Sequence, residues 1–249
     1  MKTTLLLIAF NLVLFTKTNG QIISNNSLGI DHIFIWCKDH SKVKQLFESN
    51  GFVTHQGKPH KGQGTAGSYI LVGNMYIELI SVENQQEFNE NNIQHNLKSM
   101  SLKPDWKTNK ASPFGIGLHL LSKDTSQQEF ESFIYQQDWM EDSTYYMMSK
   151  SIYTHFLEPA IFIVPNHKKF KPERFTHLLN HPNGIKEATS IMIKSRNTND
   201  RSEAMTTLNN FDAFHFKMGK EELMTITFDN FKTGTTVDFR PEMPLIIKY

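Results

Sequence analysis

The order of secondary-structure elements repeats along this chain, and that repetition limits the folds it can adopt. The stretch LGIDHIFIWC, residues 28–37, is typical of a strand, and the segment after it has Val43 and Phe47 at helical spacing. A polar, glycine-rich connection follows. Two more apolar runs then flank Gly73–Asn74, a common two-residue hairpin turn. The pattern predicts a βαβββ module over about residues 28–82.

The same order of elements begins twice more. FGIGLHLL opens a second module over about 113–180, after a linker of about 83–112 that we expect to hold a helix and surface loops. A third, partial module is predicted over about 181–249, following the turn NHPNG. Recurrence at this scale indicates duplicated modules within one chain.

Two helices are predicted inside the later modules. TSQQEFESFIYQQDW places Phe130, Phe133 and Ile134 on one apolar stripe, which favours a helix. DRSEAMTTLNNF is the second, with Asp200 as its expected N-cap residue.

The first twenty residues have the parts of a secretory signal. A lysine is followed by an apolar run from Leu5 to Phe15 and then by a small residue, Gly20. The run is shorter than the roughly 20 apolar residues that span a bilayer. We therefore expect residues 1–20 to be a cleaved signal peptide, the protein to be secreted or periplasmic, and the mature chain to have no membrane span.

Charge and cysteine content exclude some classes of protein. The 26 basic and 25 acidic side chains give a formal net charge of +1, and no basic block stands out. Nothing here indicates a nucleic-acid partner. The single cysteine, Cys37, cannot form an intramolecular disulfide, so packing must stabilise the fold.

The first strand carries a histidine among apolar residues. Strict alternation would place Ile30, His32, Phe34 and Trp36 on one face and Asp31 on the other. His32 is then either a core histidine with a satisfied hydrogen bond, or a ligand or acid–base group that lines a pocket.

Three segments together carry a family resemblance. DHIFIWCKD, GKPHKGQGTAGSYILVGNMYIELISV and HPNGI resemble the glyoxalase-like branch of the vicinal oxygen chelate superfamily, over roughly residues 28–249. The resemblance implies an α+β fold in which repeated βαβββ modules form a curled open sheet around a cup.

The resemblance also implies a divalent metal in that cup. The matching ligand positions are His32 in the first strand and Glu78 in MYIELIS, and the metal would be Zn, Mn, Ni or Fe(II). Alternation places Tyr76 and Glu78 on one face, where an ionised carboxylate is costly unless it is paired or bound to a metal. The simpler alternative is that Glu78 pairs with a lysine at the rim of the sheet.

The second module matches less well. His119 is the candidate for a third ligand or for the catalytic acid–base group. Counting back from the expected helix start, however, places Gly117 opposite His32. His119 either reaches the cup from further along the strand or belongs to the core.

Three further residues are predicted to contact substrate. His60, in the loop PHKGQGT, would lie at the mouth of the cup, although a plain hairpin connection also explains that loop. Tyr76 and Trp36 would line the cup, although core packing also explains aromatic residues there.

Two functions therefore stay open. One is a metal-assisted lyase, isomerase or dioxygenase acting on a small oxygenated molecule, and the other is a non-catalytic protein of the same fold that binds or sequesters a small molecule. The partner is a small molecule in both cases, and the chain would be a monomer or a homodimer.

Overall fold

The computed structural model describes residues 24, 27–121, 129–137, 140, 144–165, 175–196 and 200–249. The predicted signal peptide, residues 1–20, lies outside the described residues. Within the described part, no helix has both the length and the apolar character needed to cross a membrane.

The largest element is an eight-stranded mixed sheet. Its strands are β1 (Leu28–Trp36), β2 (His55–Gln56), β3 (Thr65–Leu71), β4 (Tyr76–Val82), β5 (Phe114–Leu120), β6 (Ser132–Tyr135), β7 (Tyr146–Ser149) and β8 (Ala160–Val164). Their spatial order is β2-β3-β4-β1-β5-β8-β7-β6.

This sheet consists of two similar halves. In the first half β1 runs parallel to β4, and in the second half β5 runs parallel to β8. The halves meet where β1 pairs antiparallel with β5. The sheet is curled and does not close, and the α+β fold class predicted from the sequence is confirmed.

A five-stranded sheet follows. Its strands are β9 (Ala188–Ser195), β10 (Phe214–Met218), β11 (Leu223–Phe228), β12 (Thr236–Asp238) and β13 (Leu245–Lys248), in the order β10-β9-β11-β13-β12. The described helices are α1 (His40–Ser49), α2 (Gln85–Gln94), α3 (Lys98–Leu102), α4 (Trp106–Asn109), α5 (Thr176–Leu179) and α6 (Glu203–Leu208).

The two faces of the large sheet belong to different apolar clusters. One face contributes Ile33 and Ile35 to a core shared with α1 and the five-stranded sheet. The other face contributes Phe34, Trp36 and Phe162 to a cluster shared with α2 and α3. The second cluster surrounds the candidate site described below.

A β-bulge in β1 corrects the strict alternation expected from the sequence. The register with β5 shifts between Ile30, which pairs with Leu118, and His32, which pairs with Gly117. Ile30 therefore joins Ile33 in the core on one face, whereas the extra residue, Asp31, lies on the same face as His32. A bulge accommodates one extra residue in this way.

The predicted helix containing Phe133 and Ile134 is wrong. Ser132–Tyr135 forms the edge strand β6, and Phe133 pairs with Met148 of β7. Pairing with a distant segment outweighs a local helical stripe in such a short stretch. The N-cap of α6 is Ser202, whose hydroxyl accepts the Met205 N–H, and not Asp200.

Candidate functional site

A cavity of about 470 Å³ lies against the face of the large sheet that carries Phe34 and Phe162. Strands β1, β3, β4, β7 and β8 form its floor and walls, and residues of α2, α3 and α5 cover it. Its volume is within the range of ordinary small-molecule sites. Four residues predicted from the sequence line it: His32, His60, Tyr76 and Glu78.

The bulge in β1 brings Asp31 and His32 together. Nδ1 of His32 lies 2.7 Å from Oδ1 of Asp31, and both side chains are buried. A neutral imidazole that donates from Nδ1 to this carboxylate keeps Nε2 unprotonated, so Nε2 can accept a hydrogen bond or a proton. This pair answers the question raised by the sequence, because it orients a buried imidazole at the cavity wall.

Aromatic rings hold the imidazole in place. The ring of Tyr76 stacks on His32 at a centroid distance of 4.4 Å and an interplanar angle of 9°, and Phe162 packs edge-on at 5.3 Å. Gly117 lies under the same ring, and a Cβ placed there would be 2.5 Å from Cε1 of His32. The second half of the sheet thus makes room for a group that the first half supplies.

Glu78 is the second buried ionisable group of the cavity. Tyr69, its cross-strand neighbour on β3, donates from Oη to Oε1 of Glu78 at 3.4 Å. Nε2 of His60 lies 3.3 Å from the same phenol oxygen and 3.9 Å from Oε1 of Glu78. Nδ1 of His60 is 2.9 Å from Oγ1 of Thr65, which fixes the ring. Glu78, Tyr69 and His60 therefore form one polar cluster.

The tyrosines of the cavity act as hydrogen-bond donors. Burial, together with nearby carboxylates, raises the pKa of Tyr69, Tyr76 and Tyr146 well above the ordinary value for a phenol. Each phenol therefore keeps its proton at neutral pH, and Tyr69 donates its proton to Glu78.

The rest of the lining is mostly apolar. Phe34, Ile80 and Met148 come from the sheet, and Phe88 and Met100 come from α2 and α3. The helices thus cover the open side of the sheet with apolar side chains. The arrangement suits a flat, largely apolar molecule with a few polar atoms.

Two predicted site residues lie elsewhere. Trp36 is fully buried and packs edge-on against Phe34 and Phe88, behind the cavity wall. His119 pairs with Gly29 and is half-buried, two residues beyond Gly117 along β5, and it does not line the cavity. The predicted register, with Gly117 opposite His32, is confirmed.

The donor set does not fit a four-ligand metal centre. Among the residues that the structure describes, no group of three or more His, Cys, Asp and Glu side chains could hold a metal ion. The cavity face of β5 and β8 carries Gly115, Gly117 and Phe162, so these two strands, both fully described, add no ligand beside His32 and Glu78.

The sequence interpretation missed Asp31 as a site residue. It assigned this side chain to the opposite face, because nothing in the stretch LGIDHIF marks the position of the bulge. It also missed Tyr146 and Asn91, because strand β7 and helix α2 reach the cavity only through tertiary packing.

The fold and site define a mixed-sheet protein with a small-molecule cavity, and comparison with known proteins gives its class. Residues 30–137 match the family model of the glyoxalase-like domain. This match runs from β1 to β6 and agrees with the resemblance to a glyoxalase-like domain that the sequence implied. No curated protein sequence matches the chain.

One solved structure shares the fold. A hypothetical protein from Staphylococcus aureus aligns over 89% of this chain and 98% of its own, with 14% identity and a TM-score of 0.55, which shows a shared fold alone. A hypothetical protein from Bacillus halodurans C-125 aligns over 58% of this chain and 98% of its own, with 12% identity and a TM-score of 0.36.

A xylose isomerase-like TIM barrel/4-hydroxyphenylpyruvate dioxygenase fusion protein aligns over 85% of this chain and 37% of its own, with 5% identity and a TM-score of 0.41. Neither of the last two alignments is close enough to support a conclusion about this chain.

Proposed function

We propose that this protein binds a flat, largely apolar small molecule in the cavity, without a complete four-ligand metal centre. The supporting observation is the cavity itself, in which aromatic walls surround polar groups from β1, β3, β4, β7, α2 and the loop between β2 and β3. Apolar burial supplies most of the affinity of such a site, and a few fixed polar groups set the orientation of the ligand.

The polar groups fit a ligand with both donor and acceptor atoms. The phenol of Tyr76 keeps its proton and is a donor, Glu78 and the phenol oxygen of Tyr69 are acceptors, and Nε2 of His32 accepts when Nδ1 is bonded to Asp31. A hydroxyl, carbonyl or amide on the ligand would satisfy these groups. The Asp31–His32 pair is also an arrangement that can move a proton to or from such a ligand.

Thermal unfolding with a neutral probe tests the proposal. We use 2-naphthylacetamide, which has a flat apolar ring and one amide, in buffer with and without EDTA. We expect it to raise the unfolding temperature of the protein by several degrees equally in both buffers, since ligand binding stabilises the folded state by mass action. No stabilisation up to millimolar concentrations would contradict the proposal.

A matched pair of variants places the binding site. Met148→Trp fills the cavity, whereas Met218→Trp makes the same change on exposed β10. We expect the first variant to lose the thermal shift and the second to keep it. Equal shifts in both variants would place the binding elsewhere.

A metal-assisted lyase, isomerase or dioxygenase is the second candidate, and it has one observation in its favour: His32 and Glu78 line the same cavity. Elemental analysis of the purified protein and of His32→Ala tests it. Stoichiometric metal that disappears in the variant would support this candidate, and metal content unchanged by the substitution would remove it.

Export and oligomeric state are part of the same proposal. The proposed secreted or periplasmic location is supported only by the signal-like composition of residues 1–20. N-terminal sequencing of the protein recovered outside the cytoplasm tests it, with Gln21 as the expected first residue. Light scattering on that material distinguishes the proposed monomer from a homodimer.

A further inference from the structure

A second cavity adjoins the first one. It has a volume of about 490 Å³ and is lined by Lys58, Pro59, His60, Lys61 and Tyr69. His60 and Tyr69 also line the inner cavity, so these two side chains lie at the boundary that the two spaces share. We call the second space the outer cavity.

The outer cavity is positively charged. Lys58 and Lys61 are exposed, and neither forms an ion pair with a residue in the described part of the chain. The carboxylate of Glu87 contacts the same loop, but it accepts the backbone N–H of Gly62 at 2.9 Å and does not line the outer cavity. The two ammonium groups are therefore available to an anion.

The inner cavity has the opposite character. Its charged groups are the carboxylate of Glu78 and, behind His32, that of Asp31, and the rest of its lining is neutral and largely aromatic. A negative group on a ligand would be repelled and desolvated there, but attracted at the lysines. The charges thus favour one orientation for an acidic ligand.

We infer that the ligand is an organic anion whose apolar ring occupies the inner cavity and whose carboxylate, sulfonate or phosphate lies between Lys58 and Lys61 in the outer cavity. This inference rests on the proposed function. Tyr69 and His60, which contact each other at the boundary of the two spaces, would lie beside the part of the ligand that joins its ring to its anionic group.

Calorimetric titration with a matched pair of probes tests the inference. 2-Naphthylacetate and 2-naphthylacetamide have the same ring and nearly the same size, and they differ by one negative charge. We expect the acetate to bind about five- to tenfold more tightly at low salt, since each exposed ion pair contributes up to about a fivefold gain. The preference should shrink in 0.5 M NaCl.

Charge reversal locates the effect. In the double variant Lys58→Glu, Lys61→Glu we expect the preference for the acetate to disappear while the affinity for the amide changes less than about twofold. The control is Lys217→Glu, Lys220→Glu, which makes the same change in net charge on exposed positions at or next to β10. The control should keep the preference.

Each outcome separates the inference from the proposed function. Equal binding of both probes, or a preference that survives Lys58→Glu, Lys61→Glu, would overturn the inference and leave the proposed function standing. Failure of both probes to bind the wild-type protein would overturn the proposed function itself.

Discussion

The two halves of the eight-stranded sheet have the same strand pairing but different side chains on the cavity face. In the first half β1 and β4 present His32, Tyr76 and Glu78. In the second half, Gly117 of β5 pairs with His32 on one side and with Phe162 of β8 on the other. The strand arrangement is therefore maintained by both sets of residues, whereas the buried histidine and carboxylate of the site come from the first half.

The second half also uses its buried charges differently. Lys103, just before β5, donates to the carbonyl oxygens of Ser112 at 3.1 Å and Glu158 at 2.8 Å. Glu222, beside β11, accepts from Ser195 Oγ at 2.9 Å. Ser195 Oγ also lies 3.4 Å from the carbonyl oxygen of Leu157, just before β8, and this contact ties the second half to the five-stranded sheet. The comparison teaches that polar residues serve a cavity in one half and a junction between sheets in the other.

The largest loss of stability is expected at Gly115 in β5, where the absence of a side chain leaves space for Phe34 of the first half. A Cβ at Gly115 would lie 1.9 Å from Cζ of Phe34. Gly115→Ala should lower the free energy of unfolding by about 3 kcal/mol, because overpacking forces side chains and backbone to shift. Urea unfolding measures the loss.

Two variants serve as controls for this loss. Gly219→Ala meets only the flexible side chain of Lys194, so it should cost much less. Phe34→Ala combined with Gly115→Ala should be less destabilised than the sum of the two single variants. Additive effects would show that the two halves do not fit together in this way.

The next prediction concerns the pH dependence of stability at Glu222, beside β11. Burial raises the pKa of Glu222 to about 7, so the folded protein holds this proton more tightly than the unfolded chain does. Stability should therefore fall as the pH rises from about 4.5 to about 7, and Glu222→Gln should remove a fall of about 2 kcal/mol.

Urea unfolding across this pH range checks the prediction. Burial lowers the pKa of Lys103 to about 7, so Lys103 is protonated in both states below about pH 6, and its loss of a proton from the folded state nearer pH 7 opposes the fall. Parallel pH profiles for Glu222→Gln and the wild-type protein would contradict the assignment.

The smallest effect concerns the polar cluster of the first half. Tyr69→Phe removes the phenol that lies between Glu78 and His60, and it should lower stability by about 1 kcal/mol. It should also weaken the binding of 2-naphthylacetamide. Tyr153→Phe, on a partly exposed tyrosine, should change neither quantity measurably.

The sequence predicted the first half better than the second. Helix α1 and the β3–β4 hairpin are local, periodic and bounded by clear turn residues, so their patterns were enough. Strand β6 was mistaken for a helix because its pairing with β7 is not encoded in its own short stretch.

The site shows the same division. His32, Glu78, His60 and Tyr76 were found because strand alternation and the family resemblance point to them. Asp31 was assigned to the wrong face because a bulge depends on the register with β5, which the residues of β1 do not determine alone. Helices α2 and α3 cover the cavity through tertiary packing, and no sequence motif predicts that position.

The position of a bound probe tests the central claim most directly. We suggest a crystal structure of the protein with 6-bromo-2-naphthylacetamide, in which anomalous scattering locates the bromine atom. The peak is expected inside the inner cavity, with the ring among Phe34, Tyr76 and Phe162. A fully occupied probe found outside this cavity, with the space next to His32 and Glu78 filled by side chains, would contradict the claim.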